Sequence, residues 1–501
     1  MAKITKKLQN KAESANGRRY YDGAKVGRLT ASWTTQPLTA NQITKTSLVP
    51  LVGRSRELYA NNDYSRRFIE LLISNVVGPK GISLQCTAVN PGGLPDSLGN
   101  GAIEEAWRIW GRRKNCDVTK TLGWKSAQNM FIRTVAVDGE CFVRMVYNDG
   151  DFRLQFLDSM LVDPNLNDDN RHTGHKITQG IEFDNWGTPV AYFLVSTQTN
   201  DSYTFSGRHY IRVPAERMIH GFIPERIGQK RGIPWMATAM TKLKNLGAYE
   251  EAAIIAARVG AAKMGFFQSE DGAQFEGERE ADGTIITDAE PGTFHQLQEG
   301  MSFETYDPTY PAGEFAPFSK AMLRGVASGL GISYNTLASD LEGVNFSSLR
   351  AGVLEDREAF KSMQSFVIES LCQPVYDEWL YNALLTGKIK VGEGTIPVTR
   401  MEKFENPHWN ARRWSWVDPA KDIVLAKEAI RLGLRSRSAI IRELGADPEE
   451  VWHEIASERD LMQHIGVPID NATQMSAAQT MTTSVVVEDG EEASDEAKPI
   501  D

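Results

Sequence analysis

Residues 220–252 read HGFIPERIGQKRGIPWMATAMTKLKNLGAYEEA, and the fold turns on how the two halves of that stretch are joined. Gly228, Gly232 and Pro234 mark the first half as a connection, with Pro234 near a helix start. The second half opens an Ala-loaded helical pattern running from Trp235 to about Lys263. Leu243, Leu246, Ala253, Ile254 and Ala257 form one stripe of it. Ala252, Ala256, Ala261 and Ala262 leave narrow faces that another helix can approach closely. No catalytic signature lies nearby, so the helix needs a structural purpose.

Outward on the N-terminal side, short alternating runs separated by turn residues fill 141–220: CFVRMVY, FRLQFL, GIEFD, VAYFLVS and HYIRVP. Before them, helical spacing predicts helices over 46–77, stopped by Gly78-Pro79, over 102–113 and over 124–137, with a strand in GISLQCTAV (81–89). The first 28 residues carry eight Lys/Arg against Glu13 and Asp22, a basic arm that either stays solvated or docks on a partner or on nucleic acid.

On the C-terminal side, Glu270 to Tyr310 holds eleven acidic residues and one basic one, Arg279. A helix at 318–331 follows, then the Asn/Ser/Asp/Gly-rich stretch 332–348, read as a loop. The longest helical pattern of the chain comes next, with Leu349, Val353, Phe360, Met363, Val367, Leu371, Val375 and Trp379 on one stripe. Ser347 or Ser348 is its expected N-cap, and Pro374 its expected kink. A polar strand region (386–417) leads to three helices from Asp418 on, and the last fourteen positions contain seven acids and one Lys.

The chain of 501 residues, 41% apolar and 24% charged, suits a large globular protein. A net charge of -10 argues against a tight grip on nucleic acid over the whole surface. Cys86, Cys116, Cys141 and Cys372 lack CxxC spacing, and no apolar run is long enough to span a membrane. No GxxxxGK[ST], GxSxG, HExxH or GxGxxG occurs. HTGH (172–175) beside Asp168-Asp169 lacks a third ligand at a fixed offset, Glu250-Glu251 and Glu355-Asp356 read as solvated helix faces, and His220 reads as a packed histidine. Neither a metal nor a cofactor is expected, and no enzyme activity.

The order of segments carries the decisive signal. RSRELYANNDYSRRFIELLISNVVGPKGI (54–82), the opening stretch, GLGISYNTLASDLEGVNFSSLRAGVLEDREAF (329–360) and WSWVDPAKDIVLAKEAIRLGLRSRSAIIRELGADPEEVWHEIASER (414–459) together resemble the lambda-type bacteriophage portal protein family. The resemblance implies an α+β portal fold. It has a basic arm (1–40), an α/β wing (41–234), a long helical stem (235–265 and 315–331) and a small β-containing clip (266–314). A tunnel loop (332–348), a long wing helix (349–385), wing strands (386–417), a helical crown (418–468) and an acidic tail (469–501) complete it.

It further implies a dodecameric ring at one capsid vertex of the virion, assembled in the host cytoplasm, through which double-stranded DNA is packaged and ejected. The implied partners are the large terminase subunit, a head-tail connector protein, and the major capsid and scaffolding proteins. On this mapping Asn335, Ser339, Asn345 and Ser347 of the tunnel loop and Lys242, Lys244 and Arg258 of the stem are candidates for facing DNA. Glu276, Glu278, Glu280 and Asp282 would form an acidic clip surface, and Arg226, Lys230 and Arg231 would pair with a neighbouring subunit, so that their loss damages assembly. The competing readings are a head-maturation protease or other head-associated enzyme, which needs a nucleophile with a base, and a packaging adaptor that binds DNA, which the acidic balance disfavours.

Overall fold

The structure is a computed structural model; it describes residues 28, 32, 34–148, 150–169, 174–196, 209–261, 265–269, 301–305, 315–343, 345–414, 419–444 and 448–465. Most of the basic arm, the acidic residues Glu276, Glu278, Glu280 and Asp282, and the acidic C-terminal segment lie outside them.

Helix α1 (Ala40–Asn61) starts on a capping box in which Thr39 and Gln42 exchange side-chain and backbone hydrogen bonds. The helix expected over 46–77 is broken at Asn62, whose extended backbone ends α1 and whose Oδ1 accepts from Ser65 N at 2.9 Å to cap α2 (Asp63–Leu72). A π turn (Ile73–Val77) then stops at Gly78, at φ 75°. The strand expected over 81–89 is confined to β1 (Ser83–Gln85). Helices α3 (Ser97–Trp110), α4 (Arg113–Cys116) and α5 (Trp124–Asp138) follow.

Two antiparallel sheets come next. β2 (Glu140–Asn148) lies between β3 (Asp151–Leu157) and β9 (Met218–Phe222). The other sheet runs in order through β4 (Asp168–Asp169), β5 (Lys176–Thr178), β6 (Ile181–Phe183), β7 (Pro189–Val195) and β8 (Tyr210–Pro214). Because side chains alternate across a strand, Cys141, Val143 and Met145 of β2 enter the main core while Phe142 enters a second, smaller one with Ile181, Phe183, Tyr192 and Leu194. Glu140 shares the Phe142 face, which places a carboxylate at the mouth of that smaller core.

The connection differs from its sequence reading. Trp235–Ala239 is a series of turns, with Ala237 N donating to Pro234 O and Ala239 N to Met236 O, so helix α6 spans Met240–Ala261 and Pro234 is not in its first turn. Trp235 N donates to Ala136 O at 3.1 Å and ties the turns to α5. β10 (Gly265–Ser269) pairs with β11 (Met301–Thr305), and α7 (Phe315–Leu330) packs back on α6.

Within 332–348 the chain is not all loop: Tyr334–Ala338 forms the short helix α8. Helix α9 (Phe346–Val367) is capped by Asn345 in place of the expected Ser347 or Ser348, its Oδ1 accepting from Ser348 N at 2.8 Å. Pro374 follows a π turn (Ile368–Cys372), in which Gln373 N reaches Ile368 O, and then α10 (Gln373–Leu385) continues. The irregularity thus takes the form of one widened turn just ahead of the proline. The stripe is buried at Phe360, Val367, Leu371, Val375 and Trp379, while Leu349, Val353 and Met363 are half-buried. Trp379 meets Trp107 of α3 at 4.9 Å between ring centroids, and Trp107 also touches Trp110 and Trp124.

The region 386–414 holds β12 (Lys390–Val391), β13 (Gly394–Thr395) and β14 (His408–Asn410), the last paired with β1. Helices α11 (Pro419–Arg431), α12 (Arg437–Glu443) and α13 (Pro448–Ile465) close the described chain. All four cysteines are buried free thiols.

Candidate functional site

Arg231, expected to meet a neighbouring subunit, is instead fully buried within its own chain. Its Nε donates to Glu140 Oε1 at 2.7 Å, and its terminal nitrogens donate to the carbonyls of Val162 (3.1 Å), Gln179 (2.7 Å) and Ser159 (3.1 Å). The second Glu140 oxygen accepts from Gly232 N at 2.9 Å and meets His220 Nε2 at 3.0 Å. His220 is sandwiched between the rings of Phe142 (4.3 Å) and Phe222 (4.6 Å), the packed role expected of it. A buried charge is tolerable only when paired and fully hydrogen-bonded, and Arg231 with Glu140 meets that condition.

The other two charges are also used internally. Lys230 Nζ donates to Gly187 O at 2.7 Å and lies 4.0 Å above the Phe183 ring. Arg226, exposed, donates to Leu38 O at 3.0 Å. Asn41, in the first turn of α1, grips the same connection through Gly228 O and Lys230 N. The stretch is therefore clamped to the sheets and to α1.

Glycine makes the clamp possible. Gly139 ends α5 at φ 93°, a left-handed conformation, and a Cβ on it would collide with the Gly232–Ile233 backbone. A Cβ on Gly232 would fall on the Gly139 carbonyl. Two backbones thus touch where α5 hands over to β2, beside the Glu140–Arg231 pair.

The cluster makes stability depend on pH. Burial alone would push the Glu140 carboxyl up, but the Arg231 charge and the His220 contact hold it at about 2. Burial pushes His220 below its usual value despite Glu140 beside it, so the ring is neutral and its Nε2–H donates. Both folded-state values lie below the unfolded ones, so both contributions are present at neutral pH. The His220 part is lost as pH falls below about 6.5, and the Glu140 part as it falls from about 4.5 towards 2. Melting temperature is expected to drop from pH 7 towards pH 2, and Glu140→Gln to flatten the part of that drop below about pH 4.5; an identical profile below pH 4.5 in the variant contradicts the assignment.

The remaining candidates lie on two helices and the segment between them. Lys244 forms an exposed ion pair with Glu57 at 2.9 Å, Lys242 is exposed with its Nζ beside Gly325 of α7, and Arg258 is exposed. The stripe of α6 is buried at Leu243, Leu246 and Ala253 but not beyond: Ile254 is 54% exposed, and Ala257 is exposed. Asn335 is half-buried on α8, Ser339 is exposed at φ 54°, Asn345 serves as the α9 cap, and Ser347 lies in its first turn. HTGH is represented by His175, which meets Glu182 at 2.9 Å; among the described residues no cluster of metal-binding side chains forms.

Asp356 corrects another reading. It is 6% exposed, not solvated, and accepts hydrogen bonds from Ser333 N (2.8 Å), Ser333 Oγ (2.7 Å) and Thr336 Oγ1 (2.6 Å). Lys320 of α7 holds the same segment through Asp340 and Glu342, both at 3.1 Å. Asp356→Ala leaves three donors without their acceptor. It is expected to cost about 1–3 kcal/mol and to raise amide exchange selectively over 333–340; unchanged exchange there contradicts the role.

The family profile described as phage portal protein, lambda family, matches residues 26–364, more than half of the chain. The chain belongs to the lambda family of phage portal proteins. The probable portal protein of Halomonas phage phiHAP-1 is 35% identical over 461 residues, 90% of this chain and 88% of its own. Portal protein B of Escherichia phage lambda is 21% identical over 460 residues, 81% of this chain and 82% of its own. A chain from the virion of a native gene transfer agent particle aligns at TM-score 0.42 and 14% identity, covering 82% of this chain and 99% of that one.

In this portal protein, sequence reasoning found the connection but missed its partner. Glu140 had a signal: it opens an apolar strand in phase with Phe142, so a charge there faces the core. Asp356 had one as well: it stands three residues after Val353 and four before Phe360, on the apolar stripe of α9, so a charge there faces the core.

Proposed function

We propose that this portal protein forms a dodecameric ring at one vertex of the phage capsid, a channel through which double-stranded DNA is packaged and ejected. The ring acts as a structural conduit and not as an enzyme. The large terminase subunit and a head-tail connector protein dock on it, and the major capsid and scaffolding proteins surround it. Residues 41–234 and 349–417 are assigned to the wing, α6 and α7 to the stem, 266–314 to the clip, 332–348 to the tunnel loop and 418–468 to the crown.

The observation that carries this reading is the outward face of the α6–α7 pair. Tyr249 stacks on Phe315 at 5.5 Å and meets Phe318 at 4.7 Å, which joins the two helices. Yet Ile254 and Ile255 remain 54% and 53% exposed, and Phe318 46%. A helix that buries one face in its own chain and keeps large apolar side chains on another supports packing against further copies. A channel must also hold DNA without gripping it: affinity grows with the number of phosphates neutralised, so few contacts permit sliding. Lys242, Lys244, Arg258, Asn335, Ser339, Asn345 and Ser347 are the proposed channel-facing set, with the Lys244 charge partly offset by its exposed pair with Glu57. The acids Glu276, Glu278, Glu280 and Asp282, repeated around a ring, would repel phosphate at the clip.

Ile254→Asp with Ile255→Asp is expected to reduce assembly at least tenfold while the protomer's denaturation midpoint is kept; unaltered assembly removes α6 from the interface. The function itself is tested by building heads with and without the chain. Heads that contain it are expected to take up DNA when supplied with terminase, and equal uptake by heads that lack it contradicts the proposal.

A further inference from the structure

A cavity of about 820 Å³ lies between α9 and the helices α11 and α12, and the portal reading does not use it. Its walls are apolar: Leu354, Trp414, Leu425, Ala429 and Ile440 line it, with Leu354 44% and Leu425 66% exposed. Its rim is basic. Arg350, Arg357, Arg413 and Arg442 line it, while Lys361 and Arg435 are neutralised by Glu358 and Glu443, each at 2.5 Å. Asp422 sets one negative charge against those four arginines. Arg357 Nε is buried without a hydrogen-bond partner among the described residues, and burial together with the nearby Arg412 charge pushes that guanidinium down. Among the described residues the site is short of counter-charge and of apolar cover at once.

The same chain carries a stretch with both properties. Residues 484–492 read SVVVEDGEE, three valines followed by four acids within five positions. We propose that this segment docks in the cavity, with Val485–Val487 on the apolar walls and Glu488, Asp489, Glu491 and Glu492 on the arginine rim. Nineteen residues lie between Ile465, the end of α13, and Val485. A tether of that length can span up to about 66 Å, enough to reach a cavity lined by the two preceding helices. The cavity size suits a short extended peptide and excludes a duplex, whose phosphates could meet only the rim. Guanidinium groups bind carboxylates with forked geometry, and tethering raises the local concentration of the segment. Bound there, the segment screens four arginines from any other polyanion.

Hydrogen exchange on the full chain tests this. Amides of 484–492 are expected to be protected at least tenfold over a free peptide of the same sequence. Arg350→Glu with Arg442→Glu should abolish that protection. So should Glu488→Lys with Asp489→Lys, which leaves the cavity intact, and combining the two pairs should restore it. Protection should not change on dilution, because the contact is within one chain. Exchange of 484–492 at the free-peptide rate in the native chain overturns the proposal, as does protection that falls on dilution. Duplex DNA binding that is lost in the arginine variant, while exchange over 484–492 stays unchanged, makes the rim a phosphate site and also overturns it.

Discussion

Arg231→Ala is expected to destabilise the protomer by about 3–5 kcal/mol, because it leaves Glu140 charged and buried without its counter-ion. Three carbonyls, those of Ser159, Val162 and Gln179, lose their donors in the same change. Chemical denaturation measures the loss directly. Arg231→Lys keeps the charge but not the fork that serves four acceptors, so an intermediate loss is expected. Arg226→Ala, which removes one exposed hydrogen bond to Leu38 O, should stay within about 0.5 kcal/mol of the parent. An Arg231→Ala chain that keeps its denaturation midpoint and fails only in assembly would return this residue to the subunit interface.

Gly232→Ala carries the second large effect. The added methyl meets the Gly139 carbonyl, a backbone atom that cannot rotate away, and Gly139 is itself committed to a left-handed conformation that lets α5 pass into β2. Neither side can yield without moving Glu140 or Arg231, so a loss of about 3 kcal/mol is expected. Gly247→Ala on α6 is the control. The nearest atom to its added Cβ is Asn62 Nδ2 at 4.0 Å, and replacing a mid-helix glycine there should stabilise by up to about 1 kcal/mol. If both substitutions have the same sign, the close backbone approach is not what requires glycine at 232.

These two residues show where sequence reading reached and where it stopped. Periodicity reports a buried face, and it placed Phe360, Val367, Leu371, Val375 and Trp379 on one stripe that the fold does bury. It also located the strands around β2, β3, β7 and β8, since alternation is a local property. Periodicity says nothing about what the far side of a helix meets, and Ile254 and Ala257 of α6 were assigned to a stripe that ends at Ala253. Ionic partners are harder still. Arg231 and Glu140 lie 91 positions apart, and nothing in the FIPERIGQKRGIPW stretch distinguishes a buried arginine from an exposed one. The sequence presents the three cations of that stretch as one surface group, and the fold separates them into a fully buried, a half-buried and an exposed residue. The portal assignment did not depend on that detail, because it rested on the order of whole segments.

The central claim is that copies of this chain close into a ring. Sedimentation of the purified protein, paired with electron micrographs of the same sample, tests it most directly. The account predicts closed rings with an axial opening and a mass twelve times that of the 55.7 kDa chain. A species that stays at 55.7 kDa at every concentration and salt, with no rings on the grid, contradicts it.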